Sequence, residues 1–259
     1  MCAENREQRK RSCMFCERSA SSKEDVWPVW LQKPFRSDKA RIIAERQGDL
    51  LRSWKSRTAF QVKRVCQTCN NGWMSQLENE VKPLFEAILR GALTNITIQA
   101  QSTIAVWAMK TAMVLEACCS EKTWFYTKEN RQRLGSNREM PARTSVFMAK
   151  CVAQSDIYSA TKNHWTSEYA GAVRAHVTTM AFGPVAIQVV TIRTPVSLPE
   201  EIRVTYDMSD GPWGTTLVEV WPVKREPLAW PPKHGLQGDI GLKALTERLN
   251  PASLESSGS

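Results

Sequence analysis

Cys13-Met14-Phe15-Cys16 and, with 49 residues between, Cys66-Gln67-Thr68-Cys69-Asn70-Asn71-Gly72-Trp73 are the stretches that decide how this chain is read. Each Cys-x-x-Cys brings two sulfurs to one point. Two such pairs make a tetrahedral thiolate set for zinc, formed by Cys13, Cys16, Cys66 and Cys69. A site closed by four thiolates leaves no position for water, so the metal expected is structural. The gap between the pairs is longer than in compact zinc ribbons, so the intervening chain must build an element of its own. Of the eight cysteines, Cys2, Cys118, Cys119 and Cys151 fall outside this spacing. Cys118 and Cys119 lie in an apolar helical pattern and read as small core residues.

Composition sets the frame for that site. With 259 residues, 42% of them hydrophobic and 24% charged, the chain reads as a soluble globular protein of one or two domains. No apolar run approaches the roughly 18 residues of a membrane span, because Lys110 and Glu116 interrupt the best candidate between Ile104 and Cys119. Met1 to Ser12 is polar and lacks the apolar stretch of a secretory signal. The expected place is the cytoplasm, at the nucleoid if the protein binds DNA.

Charge is unevenly placed. Residues 1–72 hold 16 Lys+Arg against 8 Asp+Glu, so nearly the whole net charge of +9 belongs to the segment that carries the cysteine pairs. Such a concentration favours a polyanion through phosphate contacts and counterion release. The candidate phosphate contacts are Lys23, Lys33, Arg36, Lys39, Arg41, Arg52, Lys55, Lys63 and Arg64, with Arg46 and Arg57 in the same stretch. The expected partner is nucleic acid, DNA in preference to RNA.

The remaining pattern is α+β. Leu77, Val81, Leu84, Phe85, Ile88 and Leu89 fall at helical spacing up to Gly91, with Pro83 inside the run. A second helix, apolar nearly all round and hence buried, is expected from a cap at Ser102 or Thr103 through Cys118. A third runs from the cap Thr127 to about Leu134 and stops at Gly135. Strands are expected over 146–153, 173–182, 185–194, 203–206 and 215–221, and a last amphipathic helix over 239–249. The reading is a zinc-stapled module with its helix over 1–90, a helical and antiparallel-sheet domain over 91–250 and a loose tail over 251–259. Trp27, Trp30 and Trp73 serve either to pack the small module or to stack on bases.

Between the cysteine pairs stands Ser22-Lys23-Glu24-Asp25-Val26-Trp27-Pro28, and here the order of motifs resembles the zinc-containing HNH endonucleases, which have a ββα-metal fold. The resemblance covers residues 13 to 90. It implies a divalent metal, Mg²⁺ or Mn²⁺, held by the acid at Glu24 and by Asn70 at the helix start. It places Asp25 where the family has its general-base histidine and Gln61 near the family's central asparagine. No histidine precedes His164. An aspartate, with a pKa of about 3.9 against about 6.5 for histidine, is the weaker base near neutral pH.

Three readings therefore stand open. Glu24, Asp25 and Asn70 are the catalytic set of a divergent metal-dependent endonuclease; or the module binds nucleic acid without turnover; or the zinc fold is a scaffold for a protein partner held by the C-terminal region.

Overall fold

Two strands of the N-terminal segment, Ser22–Asp25 (β1) and Gln61–Val65 (β4), pair antiparallel, with Glu24 opposite Val62 and Asp25 opposite Gln61. The computed structural model describes residues 11–32, 40–46, 49–56, 61–92, 95–152, 157–165, 174–193 and 213–248. The expected strand at 203–206, the tail 251–259 and the candidate contacts Lys33, Arg36, Lys39 and Arg57 lie outside the described residues.

The chain between β1 and β4 does form elements of its own, as its length requires. After the short helix Val29–Gln32 (α1), strands Ala40–Arg46 (β2) and Asp49–Ser56 (β3) form a hairpin. That hairpin leaves the cysteine region and joins the large sheet through a parallel pairing of β2 with Ile157–Trp165 (β7).

From Cys66 the chain turns helical. A short helix Gln67–Cys69 (α2) passes through a wider turn, Asn70–Met74, into Ser75–Leu89 (α3). Leu77, Val81, Phe85 and Ile88 form its buried face, as their spacing predicts. Gly91, at φ +67, ends it in the left-handed conformation that glycine adopts without a Cβ clash.

The next helix, Ile98–Glu116 (α4), starts earlier than the cap at Ser102 or Thr103 would have it. Its N-cap is Thr97, whose side chain accepts from Ala100 N. The polar Gln101 inside its first turns is fully buried because both ends of its amide are satisfied: Nε2 donates to Glu226 O at 2.8 Å and Oε1 accepts from Lys224 N at 2.7 Å. Every residue from Thr103 to Glu116 is buried.

Helix Lys128–Asn137 (α5) has the expected Thr127 cap, closed by Asn130 into a capping box. It does not stop at Gly135 but runs on to Arg138, which takes the left-handed position at φ 56. Gly135 serves close packing instead. A Cβ there would lie 3.2 Å from both the Cβ and the carbonyl oxygen of Phe15.

The sheet is completed by Thr144–Val152 (β6), Arg174–Phe182 (β8), Val185–Arg193 (β9), Leu217–Trp221 (β10) and Gly235–Gln237 (β12); Leu228–Ala229 (β11) pairs separately with Asn95–Ile96 (β5). Its order is β10-β6-β9-β8-β7-β2-β3, with β12 added parallel to β6. Apart from this pair and the parallel β2–β7 pair, the neighbours in that order are antiparallel.

The pleat sends alternate residues to opposite faces. Met148, Phe182 and Ile187 join α3 and α4 in the main core, while Ala149, Ala181 and Ala186 meet Leu242 and Leu245 of the last helix, Gly238–Glu247 (α6). Gln188 fixes α6 by donating to Leu245 O at 2.8 Å.

The main core crosses residue 90 without a break. Phe85 of α3 lies 4.9 Å from Trp107 of α4 and 5.1 Å from Phe182 of β8, ring centre to ring centre, and Trp27 lies 6.0 Å from Phe182. Trp30 stacks on Phe85, and Trp73 meets Phe15 edge-on. The three tryptophans near the cysteines therefore pack the interior.

Glu116 and Lys110, the two charges that interrupt the apolar run, are both buried and paired. Glu116 meets Arg131 of α5 at 2.5 Å. Burial pushes its carboxyl up to about 7, against the pull of the guanidinium. Among the described residues no helix is long and apolar enough to cross a membrane.

Candidate metal centre

The four cysteines meet because the two pairs sit on facing turns. Cys13 N donates to Arg18 O at 2.7 Å, and Ser12 bridges Ser19, which folds the first pair into a tight knuckle. Met14 N donates to Arg64 O at 2.9 Å and ties that knuckle to β4. The second pair opens α2, where Cys66 caps the helix by accepting from Cys69 N at 3.4 Å.

The sulfurs of Cys13, Cys16, Cys66 and Cys69 all lie within 4.8 Å of one another, and those of Cys16 and Cys66 are 3.6 Å apart. Four sulfurs on a zinc tetrahedron with 2.3 Å bonds would be separated by about 3.8 Å. The cluster can thus hold a metal ion such as zinc. Burial pushes the Cys13 thiol up; the Cys66 thiol, also opposed by burial, is brought down to about 7 by hydrogen bonds from Cys69 and its neighbouring thiols. A divalent cation deprotonates such thiols outright.

Glu24, Asp25 and Asn70 lie close by, in three different environments. Successive residues of a strand face opposite ways, and β1 sends Glu24 inward and leaves Asp25 half-buried. Glu24 is 5% exposed and accepts from Lys110 Nζ of α4 at 3.2 Å; the same ammonium donates to Glu78 of α3 at 2.9 Å. Burial pushes the Glu24 carboxyl up against the pull of Lys110. Burial alone would pull Lys110 down, but two carboxylates outweigh it and hold the ammonium charged.

Asp25 accepts from Gln61 Nε2 at 2.8 Å across the β1–β4 pair. Asn70 uses its amide nitrogen on β1, donating to Ser22 Oγ at 2.7 Å and Lys23 O at 3.0 Å. It therefore locks the helix start onto the strand. Asn70→Ala is expected to cost about 1–2 kcal/mol by leaving these acceptors unmet, read as a lower urea midpoint at unchanged slope.

Lys110 and Glu78 belong to this site, and sequence reasoning missed them. The available signal was a single lysine in an otherwise apolar helix, which needs a buried counter-charge. Among the candidate phosphate contacts, Lys23 and Lys63 are exposed and Arg64 is half-buried, its guanidinium held by Glu121. Arg41, Arg52 and Lys55 fall on β2 and β3, and their side chains lie outside the described residues. Compared with family models, curated proteins and solved structures, the chain gives no match.

Proposed function

We propose that the four-cysteine site holds a structural zinc and that the module it staples binds nucleic acid, DNA in preference to RNA, without cutting it. The observation that carries the binding half is the charge, with 16 Lys+Arg against 8 Asp+Glu in residues 1–72. The zinc half rests on the donor set, since four soft thiolates suit zinc and suit Mg²⁺ or Mn²⁺ poorly. Kinship to the HNH module is supported by the order of elements: an antiparallel pair, β1 and β4, runs into a helix that begins at the second cysteine pair.

Binding is favoured over cleavage by what Glu24 touches. In the cleaving reading its carboxylate is a ligand for a divalent metal; here an ammonium already lies 3.2 Å from it. A second cation at the same oxygens would have to displace Lys110 or bear its repulsion. Asp25 points to the other side of the strand and, among the described residues, accepts from Gln61 where Glu24 accepts from Lys110.

The test is titration of a labelled duplex at several KCl concentrations. Affinity should fall linearly on log axes with a slope of about −0.9 per phosphate neutralised, and Lys23→Ala should lower that slope by about one. Absence of binding, or binding indifferent to salt, would remove the nucleic-acid reading. Plasmid nicking with Mg²⁺ or Mn²⁺ that disappears in a folded Glu24→Gln variant would replace it with the endonuclease reading, for which the half-buried Asp25 carboxylate beside Gln61 is the supporting observation.

A further inference from the structure

Between β4 and the end of α4 lies a cleft of about 340 Å³, lined by Arg11, Gln61, Val62, Lys63, Arg64 and the turn Ala117–Ser120. We propose that this cleft seats a phosphate of the nucleic-acid backbone, so that the polyanion lies across the junction of the cysteine module with α4. The inference rests on the nucleic-acid reading above and gives it a place.

Among the described residues, every charged side chain that lines the cleft is a cation. Arg11 and Lys63 are exposed. Arg64 is fixed: Glu121 grips its guanidinium, which also lies 5.4 Å from the centre of the Trp124 ring. Arg64 shapes the wall with its charge already met by Glu121, and the exposed Arg11 and Lys63 supply the positive charge that meets an anion.

Among the described residues, the acids Glu121 and Asp25 are engaged, Glu121 by Arg64 and Asp25 by Gln61. The end of α4 would ordinarily repel an anion through its last carbonyls. Those of Met113 and Val114 accept from Ala117 N, that of Leu115 from Cys118 N, that of Glu116 from Cys119 N, and that of Cys119 from the Trp124 indole. The negative end of the helix is thus largely capped where the cleft opens.

The geometry also selects the kind of ligand. The cleft borders β4, from which Lys63 and Gln61 project to one side about 7 Å apart. An extended backbone can run along such a row, with Arg11 beyond it. A mononucleotide or free phosphate would meet the same cations singly.

The experiment compares the full-length protein with an Arg11→Ala/Lys63→Ala variant. Both side chains are exposed, so metal content and circular dichroism should match the parent. Fluorescence anisotropy with a labelled oligonucleotide should show affinity falling about tenfold near 0.1 M KCl, with the salt slope reduced by about two. Lys243→Ala, on the exposed side of α6, should change neither.

An independent reading needs no substitution. Cys118 and Cys119 line the cleft, and bound oligonucleotide should slow their alkylation, measured by peptide mass. If the parent binds in a salt-dependent way while the double variant keeps its affinity and slope and the thiols stay equally reactive, the cleft is overturned and the binding function stands. If the parent does not bind the oligonucleotide even at low salt, both fall. Protection of the thiols by inorganic phosphate or a mononucleotide alone, without oligonucleotide binding, would also overturn the proposal.

Discussion

Removing the metal from the four-cysteine site, by chelation or by Cys66→Ser, is expected to release one zinc per chain and to lower the melting temperature by about 10 °C or more. Structural zinc contributes folding free energy outright, about 10–16 kcal/mol in isolated finger peptides. Here the cysteines pack among Phe15, Val65 and Met74 in a core that continues into α4. Part of that energy is therefore retained by other contacts when the metal leaves, and a loss of about 5 kcal/mol at 2–4 °C per kcal/mol sets the expected fall. Colorimetric zinc release read beside a thermal melt checks both numbers. A protein that melts at the same temperature with and without chelator would show that the sulfurs hold no structural ion.

Lys110→Met should be the most damaging single change away from the cysteines, costing about 3–5 kcal/mol. The methionine fills the space, but Glu24, 5% exposed, is left as an uncompensated buried acid, and Glu78 loses the same partner. Adding Glu24→Gln should recover a large part of the loss, a coupling visible in a double-mutant cycle by urea denaturation.

The pH dependence has the same sign in the two proteins but falls in different windows. In the parent the Lys110 pKa is raised by Glu24 and Glu78, so its stabilisation is complete at neutral pH and is lost only as alkali passes the raised value. In Lys110→Met the Glu24 carboxyl is raised with nothing to oppose it. The folded state then binds the extra proton, and stability falls as pH rises from the ordinary carboxylate range. The variant should therefore approach the parent most closely in acid. A constant deficit at all pH values would mean that the cost is one of packing alone.

The parts of this fold that depend on local spacing are legible in the sequence. The buried face of α3 follows from Leu77, Val81 and Phe85, and the start of α5 follows from Thr127, because both depend on residues three or four positions apart. The cysteine cluster was legible for another reason: the chemistry of four thiolates fixes where the chain must return, whatever lies between.

What could not be read depends on distant partners. β2 and β7 pair in parallel, Ala40 with Ile157 through Arg46 with Asn163, and neither carries the apolar run that marks a strand in isolation. Gln101 hid the true start of α4 because its partners, Lys224 and Glu226, lie more than a hundred residues away. The role of Glu24 turned on Lys110 in the same way. Adjacency in sequence put Asp25 into one catalytic set with Glu24, while the pleat of β1 directs the two to opposite sides.

The route of the chain through the sheet has a mechanical consequence. The cysteine pairs stand at the two ends of the excursion that carries β2 and β3 out to the edge of the sheet. With a metal bound, a pull applied between residues 12 and 70 is carried by sulfur–metal bonds across the knuckle, and the excursion stays slack. Without it the same pull falls first on the Met14–Arg64 hydrogen bond and the β1–β4 ladder, and reaches the hairpin and its β2–β7 seam once those give way. The ion would then act as a strain relief for an edge it does not touch.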